Sequence, residues 1–548
     1  LAEALGDDIP EVRQDGIWDG LDEFLIRRGT GDLRFRQSLF HDVAYSGLSF
    51  RVRRQIHERI GLVLEKQAEN AEEIAAVLGL HFLLAGRYDD SWRYSRLAGI
   101  QACAKHANVA ATTFYTRALE AGRSVEVEPI EIARVAESLA DVAEPAGLHE
   151  EAERGLRKAA ELRESDPAGR ARVYRKLGLL RERAGKYPQA LRWFTRGLKY
   201  VENPESDRAL LQRVELQLAY AGVRFRQSRY RDAIHWCRLA IPDAERVDER
   251  QAVAHGYYLL SLSRQRSGDR SKAGHSERAL SIYEDLGELV GQSKVLNKLG
   301  VDAYYAGDWN KALGFYRRGR AAWAGAGDSV RAAMTSTNIA LVLSDQGRLE
   351  EAEHLFREAL REFRASNDRW MVGVTTSNLG RIATRAGRFD EGRELLEAAR
   401  SELREIGAEH FALDAEARIA ENRVLAGDLD AGRLLADQVM GRLPSADDER
   451  HRLLHRIRAY AQYAAGNEDL ARAEFLHGLG DARAKGNDYE VALYLDALAW
   501  VSGGEEAEAY LSEAAAIFTR LDVVAVPERM VDGQQFQVNL TGVSSTVV

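Results

Sequence analysis

Cysteine is almost missing from these 548 residues: Cys103 and Cys237 are the only two. Two thiols cannot build a disulfide framework, so the expected setting is a reducing, cytoplasmic one. Proline is scarce, at nine, against abundant alanine, arginine, glutamate and leucine. That balance favours helix and argues against a sheet-rich fold. No stretch reaches the ~18 uninterrupted apolar residues that a membrane span requires, so no membrane contact is expected. No basic segment followed by an apolar core comes after Leu1, as a secretory signal would have. A start at leucine rather than methionine reads as a piece of a longer protein. Catalytic signatures are missing as well: there is no G-x-x-x-x-G-K-[ST], G-x-G-x-x-G, C-x-x-C, H-E-x-x-H or G-x-S-x-G. Gly185-Lys186 lacks the first glycine of a phosphate loop, and His451 and His455, an i,i+4 pair, lack a third ligand. No catalytic residue, metal site or cofactor is therefore expected in this chain. A net charge of -9 gives no general reason to expect nucleic acid.

What is present is ordinary in amount and regular in order. Hydrophobic residues make up 45% and charged residues 29%, as in most globular proteins. The strings AGDWNKAL (306–313), QGRLEEAE (346–353), AGRFDEGR (386–393) and AGDLDAGR (426–433) place Gly307, Gly347, Gly387 and Gly427 at intervals of 40. Gly147, Gly185, Gly268, Gly466 and Gly504 extend the series, with His106 and Ser228 in the same slot. Seven residues before and five after each anchor the residue is always small, as at Gly300, Ala340, Ala312 and Ala352. Tyr187, Tyr230, Trp309 and Phe389 recur two after. Apolar residues run at i, i+3, i+4 on both sides of each anchor, so each unit reads as a helix, a glycine turn and a second helix. One such hairpin cannot bury its apolar face alone; stacking does so.

The pattern small–x6–Gly–x–aromatic–x2–Ala–x6–Ala resembles the tetratricopeptide repeat, whose usual unit is 34 residues. Six extra residues lengthen the helices. The fold class expected is all-α: a right-handed solenoid of about eleven hairpins over 106–520, preceded by junction helices at 66–105 and followed by a tail at 521–548.

Residues 1–65 fall outside the period. In DLRFRQSLFHDVAYSGLSFRVRRQIHERIGLVLE (32–65) a short alternating stretch precedes a helix expected to turn Leu39, Val43 and Ala44 inward, and then an arginine-rich helix. Phe35, Leu39, Ala44, Tyr45, Leu48, Arg53, Arg54, His57 and Glu65 resemble the winged-helix end of the ATPase module in bacterial signalling ATPases of the STAND type. His81, Ala98, Gly99, Ala102, Asn108, Ala111, Tyr115, Ala118 and Leu119 resemble the junction of the same proteins with their repeat arms. The resemblance implies a regulatory arm that binds a protein and reports to an upstream nucleotide switch, with ATP or ADP and Mg in upstream domains. Relatives carry an adenylate or guanylate cyclase domain before the ATPase or a LuxR-type DNA-binding end. The alternative is a free-standing scaffold. At the position where the family carries a nucleotide-sensing histidine stands Gln37, which holds no charge; His41, one turn on, is the substitute to weigh. Arg51, Arg53, Arg54 and Arg59 are expected to face solvent or a neighbouring domain rather than DNA.

If the tetratricopeptide register applies, the first helix of each unit lines a concave face. Its slots hold Arg175, Lys176, Arg183, Arg226, Arg266, Lys294 and Arg418 besides an expected peptide site of Asn297, Lys298, Asn338, Asn378, Arg381 and Arg385. Asparagine at one slot in successive units suits a peptide backbone, and the basic bias suits an acidic peptide or protein partner. The plainer reading is a wet polar face that binds nothing.

Overall fold

The computed structural model describes residues 21, 23–28, 32–268, 274–445, 448–526, 530–531 and 534–535. They divide into two compact units, Leu1–Lys272 and Ala273–Val548. The first opens with an antiparallel ribbon of β1 (Leu25–Arg28) and β2 (Asp32–Phe35). Helices follow: α1 (Ser38–Gly47), α2 (Phe50–Gln67), α3 (Ala75–Ala85), α4 (Tyr88–Ala104), α5 (Asn108–Ala121), α6 (Pro129–Ala143), α7 (His149–Glu161), α8 (Pro167–Arg183), α9 (Tyr187–Lys199), α10 (Asp207–Arg226), α11 (Tyr230–Arg246) and α12 (Arg250–Arg266). The second unit holds α13 (His275–Asp285), α14 (Leu289–Tyr305), α15 (Trp309–Gly325), α16 (Ser329–Asp345), α17 (Leu349–Ala365), α18 (Arg369–Arg385), α19 (Phe389–Glu405), α20 (Glu409–Leu425), α21 (Leu429–Met440), α22 (Arg450–Ala464), α23 (Glu468–Lys485), α24 (Asp488–Trp500) and α25 (Gly504–Arg520), with a short ribbon of β3 (Met530–Val531) and β4 (Gln534–Gln535). From α4 onward each unit is a solenoid of stacked helical hairpins.

The origin of the 40-residue period is visible in the second unit. Each helix from α14 to α20 has 17 residues, and three-residue turns join them. The turn Ala306-Gly307-Asp308 shows how. Gly307 is left-handed (φ 74°), and the Asp308 amide donates to Ala303 O at 2.9 Å, closing the helix in a Schellman turn. The Asp308 carboxylate then accepts from the Lys311 amide and starts the next helix. His106 and Ser228 adopt the same left-handed backbone (φ 55° and 58°), so they are true anchors despite their side chains. A second left-handed series that the sequence reading missed, Gly287, Gly327, Asn367 and Gly407, closes the turns between hairpins.

Small residues occupy the helix crossings. A Cβ at Gly178 would overlap the Phe194 ring, and one at Gly300 the Tyr316 ring. Ala312 and Ala352 are fully buried. The phase departs at the last copy: α25 begins at Gly504 itself rather than two residues later, so Ala509 is exposed, and Ala514 and Phe518 turn inward instead. The expected pair α12 and α13 lies on either side of the division between units, and Ala273 falls outside the described residues. So does most of the expected tail.

A second correction concerns α1. Leu39 and Val43 are 62% and 63% exposed and Ala44 is exposed too. Phe40, Tyr45 and Leu48 form the half-buried side, with Phe40 edge-on to Phe24 at 5.0 Å.

In the second unit one apolar core joins α14–α18 to α22–α25. Trp309 stacks on Tyr304 and lies 5.3 Å from Tyr489. The chain beyond α25 returns to α16, where the Val524 amide donates to Gln346 O at 2.8 Å.

Ala312→Leu forces extra methylenes into a closed crossing and is expected to cost about 1–3 kcal/mol. Ala509→Leu, on the exposed side of α25, should leave the thermal midpoint where it is. Equal melting of the two variants would contradict this assignment of the crossings.

Candidate binding face

In the first unit, most of the basic positions expected to line the concave face are already engaged by the chain's own carboxylates. Lys176 on α8 reaches Glu137 at 2.8 Å and Asp141 at 2.7 Å on α6. Arg183 pairs with Glu144, Arg226 on α10 with Glu182 on α8, and Arg175 with Glu215 at 3.1 Å. Glu137 is the centre the sequence reading missed. Nearly buried, it also takes Arg163 and Arg172 at 2.8 Å each. Burial pushes its carboxyl up, and Lys176 and Arg172 more than offset this, holding it below the usual range. Arg266 is exposed.

The second unit separates the expected peptide residues into two groups. Asn297, Asn338 and Asn378 stand half-buried on α14, α16 and α18, and Asn338 Nδ2 donates to Asn297 Oδ1 at 2.9 Å. Lys294, one turn before Asn297, is exposed. Lys298 is buried and tied to Asp302 on its own helix.

Arg381 and Arg385 are elsewhere. Asp345 at the end of α16 accepts from Arg381 at 3.0 Å, Arg385 at 3.1 Å and the Tyr304 hydroxyl at 3.0 Å. Arg385 also donates to the Ser344 carbonyl at 2.8 Å, and 1% of its side chain is exposed. This corrects the expectation that these arginines point at a ligand: they hold successive first helices together inside the unit. Burial raises the Asp345 carboxyl, but Arg381 and Arg385 outweigh it and keep the pKa below 3.8. Burial and the neighbouring Arg381 push Arg385 down to about 10. The readable signal was an acid in the slot that holds arginine one repeat later. Farther along, Glu421 pairs with Arg418 at 3.1 Å and with Arg456 at 3.5 Å.

At the N-terminal end the two family-like motifs meet. The Tyr45 hydroxyl lies 2.8 Å from His57 Nε2, and His57 Nδ1 lies 2.9 Å from His81 Nδ1. One ring nitrogen must donate to the other, and burial lowers the pKa of both histidines. Arg54 donates to Ala85 O at 2.9 Å and Arg53 sits over the Tyr45 ring, so this basic cluster faces partly into the chain. Gln37 is exposed at the start of α1 without a capping bond. His41 is exposed, beside Asp42 at 3.0 Å and stacked on Tyr45. Among the described residues no group of three metal-ligating side chains occurs, and no helix is long and apolar enough to cross a membrane.

The tetratricopeptide repeat family matches residues 131–203 and 291–365, the hairpins from α6 to α9 and from α14 to α17. The chain carries tetratricopeptide repeats. No curated protein matches it. Among solved structures, BtubC from P. vanneervenii is 24% identical over 39% of this chain and 91% of its own, with a TM-score of 0.35. RapI in its apo form is 16% identical over 50% and 99%, at 0.39. A Rap protein complexed with competence and sporulation factor is 15% identical over 65% and 99%, at 0.46.

Asp345→Ala leaves two neighbouring guanidiniums inside the unit without their shared carboxylate and is expected to cost about 3–5 kcal/mol. Removing Asp390, exposed beside Arg393, should leave the midpoint unchanged. Because the folded pKa of Asp345 is depressed, its contribution is complete above about pH 4. It is lost as pH falls through the lower folded value. Thermal midpoints across pH 2–5 should therefore fall less steeply in Asp345→Asn than in the parent.

Proposed function

We propose that this chain is a non-catalytic protein-interaction arm. Its first-helix face in the second unit would take an extended segment of a partner protein. The reading rests on the amide row: the Asn338–Asn297 bond uses one donor and one acceptor, and among the described residues Asn338 Oδ1, Asn297 Nδ2 and the Asn378 amide make no other hydrogen bond. Three amides with unspent donors and acceptors, one per repeat, have the chemistry to pair with a peptide backbone. Lys294 beside them gives an acidic side chain a partner, whereas Arg381 and Arg385 are committed to Asp345.

A second layer of the proposal follows the family resemblance: the arm reports to an upstream nucleotide switch, with ATP or ADP and Mg held there and a cyclase or LuxR-type output. Its support is the way the two resembling motifs, 32–65 and 80–120, join through Tyr45, His57 and His81. A coding sequence upstream of Leu1 that contains a phosphate loop would favour this layer, and a start codon near Leu1 the free scaffold.

Peptides selected from a display library against the parent chain provide the direct test of the face. Each lost amide bond is worth about 0.5–1.5 kcal/mol, so Asn338→Ala with Asn378→Ala should weaken selected peptides about tenfold. Unchanged titration curves for the double variant would remove the amide row from the binding face.

A further inference from the structure

Helix α1 has no fully buried residue. Among the described residues its hydrogen bond and its ring contacts with α2 all run through Tyr45, which meets His57 and lies under Arg53. On α2, the stripe Arg54, His57 and Gly61 meets α3 at Ala85, His81 and Phe82 in turn. Gly61 fits against the Phe82 ring, so packing anchors the C-terminal half of α2. The N-terminal half, with α1 beyond it, is tied to α3 by the Arg54 bond to Ala85 O and by the two histidines.

His57 and His81 present the same nitrogen to each other. Two Nδ1 atoms 2.9 Å apart need one proton between them. With both rings neutral, the Tyr45 hydroxyl donates to His57 Nε2, and His57 Nδ1–H donates to His81 Nδ1. A first added proton goes to His57 Nε2 and breaks nothing, because the Tyr45 oxygen then accepts where its hydroxyl had donated. A second proton has only His81 Nδ1 to occupy, where it meets the His57 N–H. Two donors and two like charges then face each other, and the contact opens. The opposite tautomers give the same count: the chain of three groups takes one extra proton without loss, and not two.

The surroundings do not offset the second charge. On α1, Asp42 is paired with His41 at 3.0 Å; on α2, Glu58 lies 3.9 Å from Arg87, just ahead of α4. Arg53 and Arg54 on α2 are positive, as is Arg117 on α5, which donates to Ala76 O of α3. Among the described residues, histidine–carboxylate pairs occur at His41, His354 and His455 instead. Burial lowers the pKa of both rings, and for His81 the neighbouring His57 adds to this. Both folded values therefore lie below 6.5, so the contact contributes fully above that pH and is lost as pH falls beneath it.

We propose that His57 and His81 form a proton-counting latch, which keeps α1 and the N-terminal half of α2 on α3 at neutral pH and frees them when both rings are protonated. The latch sits where the ribbon end of the chain joins the repeats, so acidification uncouples the two. It stands without the amide row and without an upstream switch.

The test follows deuterium uptake of the full chain by mass spectrometry at about pH 7.5 and about pH 5, corrected for intrinsic exchange. The lower value lies above the ordinary carboxylate range, so Asp42 and Glu58 keep their charges. Protection of residues 38–57 is expected to fall at least about tenfold at the lower pH, while that of α8 and α9 is unchanged. His81→Gln keeps a donor and an acceptor but takes no proton, so its segment should stay protected at both values. If that variant is unprotected throughout, His57→Gln is read in its place by the same criterion. His41→Gln should respond as the parent does. Equal protection of the parent segment at both pH values overturns the proposal. A pH response that survives in His81→Gln, or that disappears in His41→Gln, overturns it as well, by assigning the titration to other groups.

Discussion

Two helices can approach closely only where one presents a small residue at the crossing, and the hairpins around Gly178 and Gly300 are built around that concession. At Gly300 the Tyr316 ring occupies the space a Cβ would need, and at Gly178 the Phe194 ring does the same. Packed interiors tolerate neither a void nor an extra methyl at such points. The crossing fixes the hairpin, the hairpin fixes which residues of the first helix face its neighbours, and stacking follows because no single hairpin covers its own apolar surface.

Charge is then used for registration between repeats rather than for display. Arginines and lysines on the first helices mostly find carboxylates one repeat away, as in Lys176 with Glu137 and Arg385 with Asp345. Such pairs are poor sources of net stability, since desolvation offsets most of their attraction. They do penalise a slipped or mispaired stack, which would leave charges buried alone. The same economy ties up most of the guanidiniums on the first helices and leaves the amides Asn297, Asn338 and Asn378 as polar groups less committed there.

The period, the turn positions and the buried small slots were legible in the sequence because they are local: each depends on residues within one hairpin. His106 and Ser228 were placed correctly by phase alone and proved left-handed. The errors came where locality fails. The inward side of α1 was assigned to Leu39 and Val43 from helical pattern, but the neighbours of α1 are decided elsewhere in the chain, and Phe40 and Tyr45 turn inward. Ala509 fell out of phase because α25 starts two residues early. Arg381 and Arg385 looked like ligand contacts because the pattern offers Asp345, 40 residues before Arg385, but not Tyr304 or the core around Tyr489 that close the same spot. The amide row and the Gln346 contact have opposite legibility: the first repeats, the second joins residues 175 positions apart.

That separation has a cost in time as well as in entropy. Most hairpins can close as soon as their forty residues have been made, since their contacts are local. The Gln346 turn cannot. Between synthesis of Gln346 and Leu521, 175 positions later, roughly 9–35 s pass at about 5–20 residues per second. During that interval the apolar wall that will receive Leu521, Val523 and Val526 has no resident cover. The newborn second unit therefore presents this surface to whatever is near the ribosome before its own chain arrives to close it.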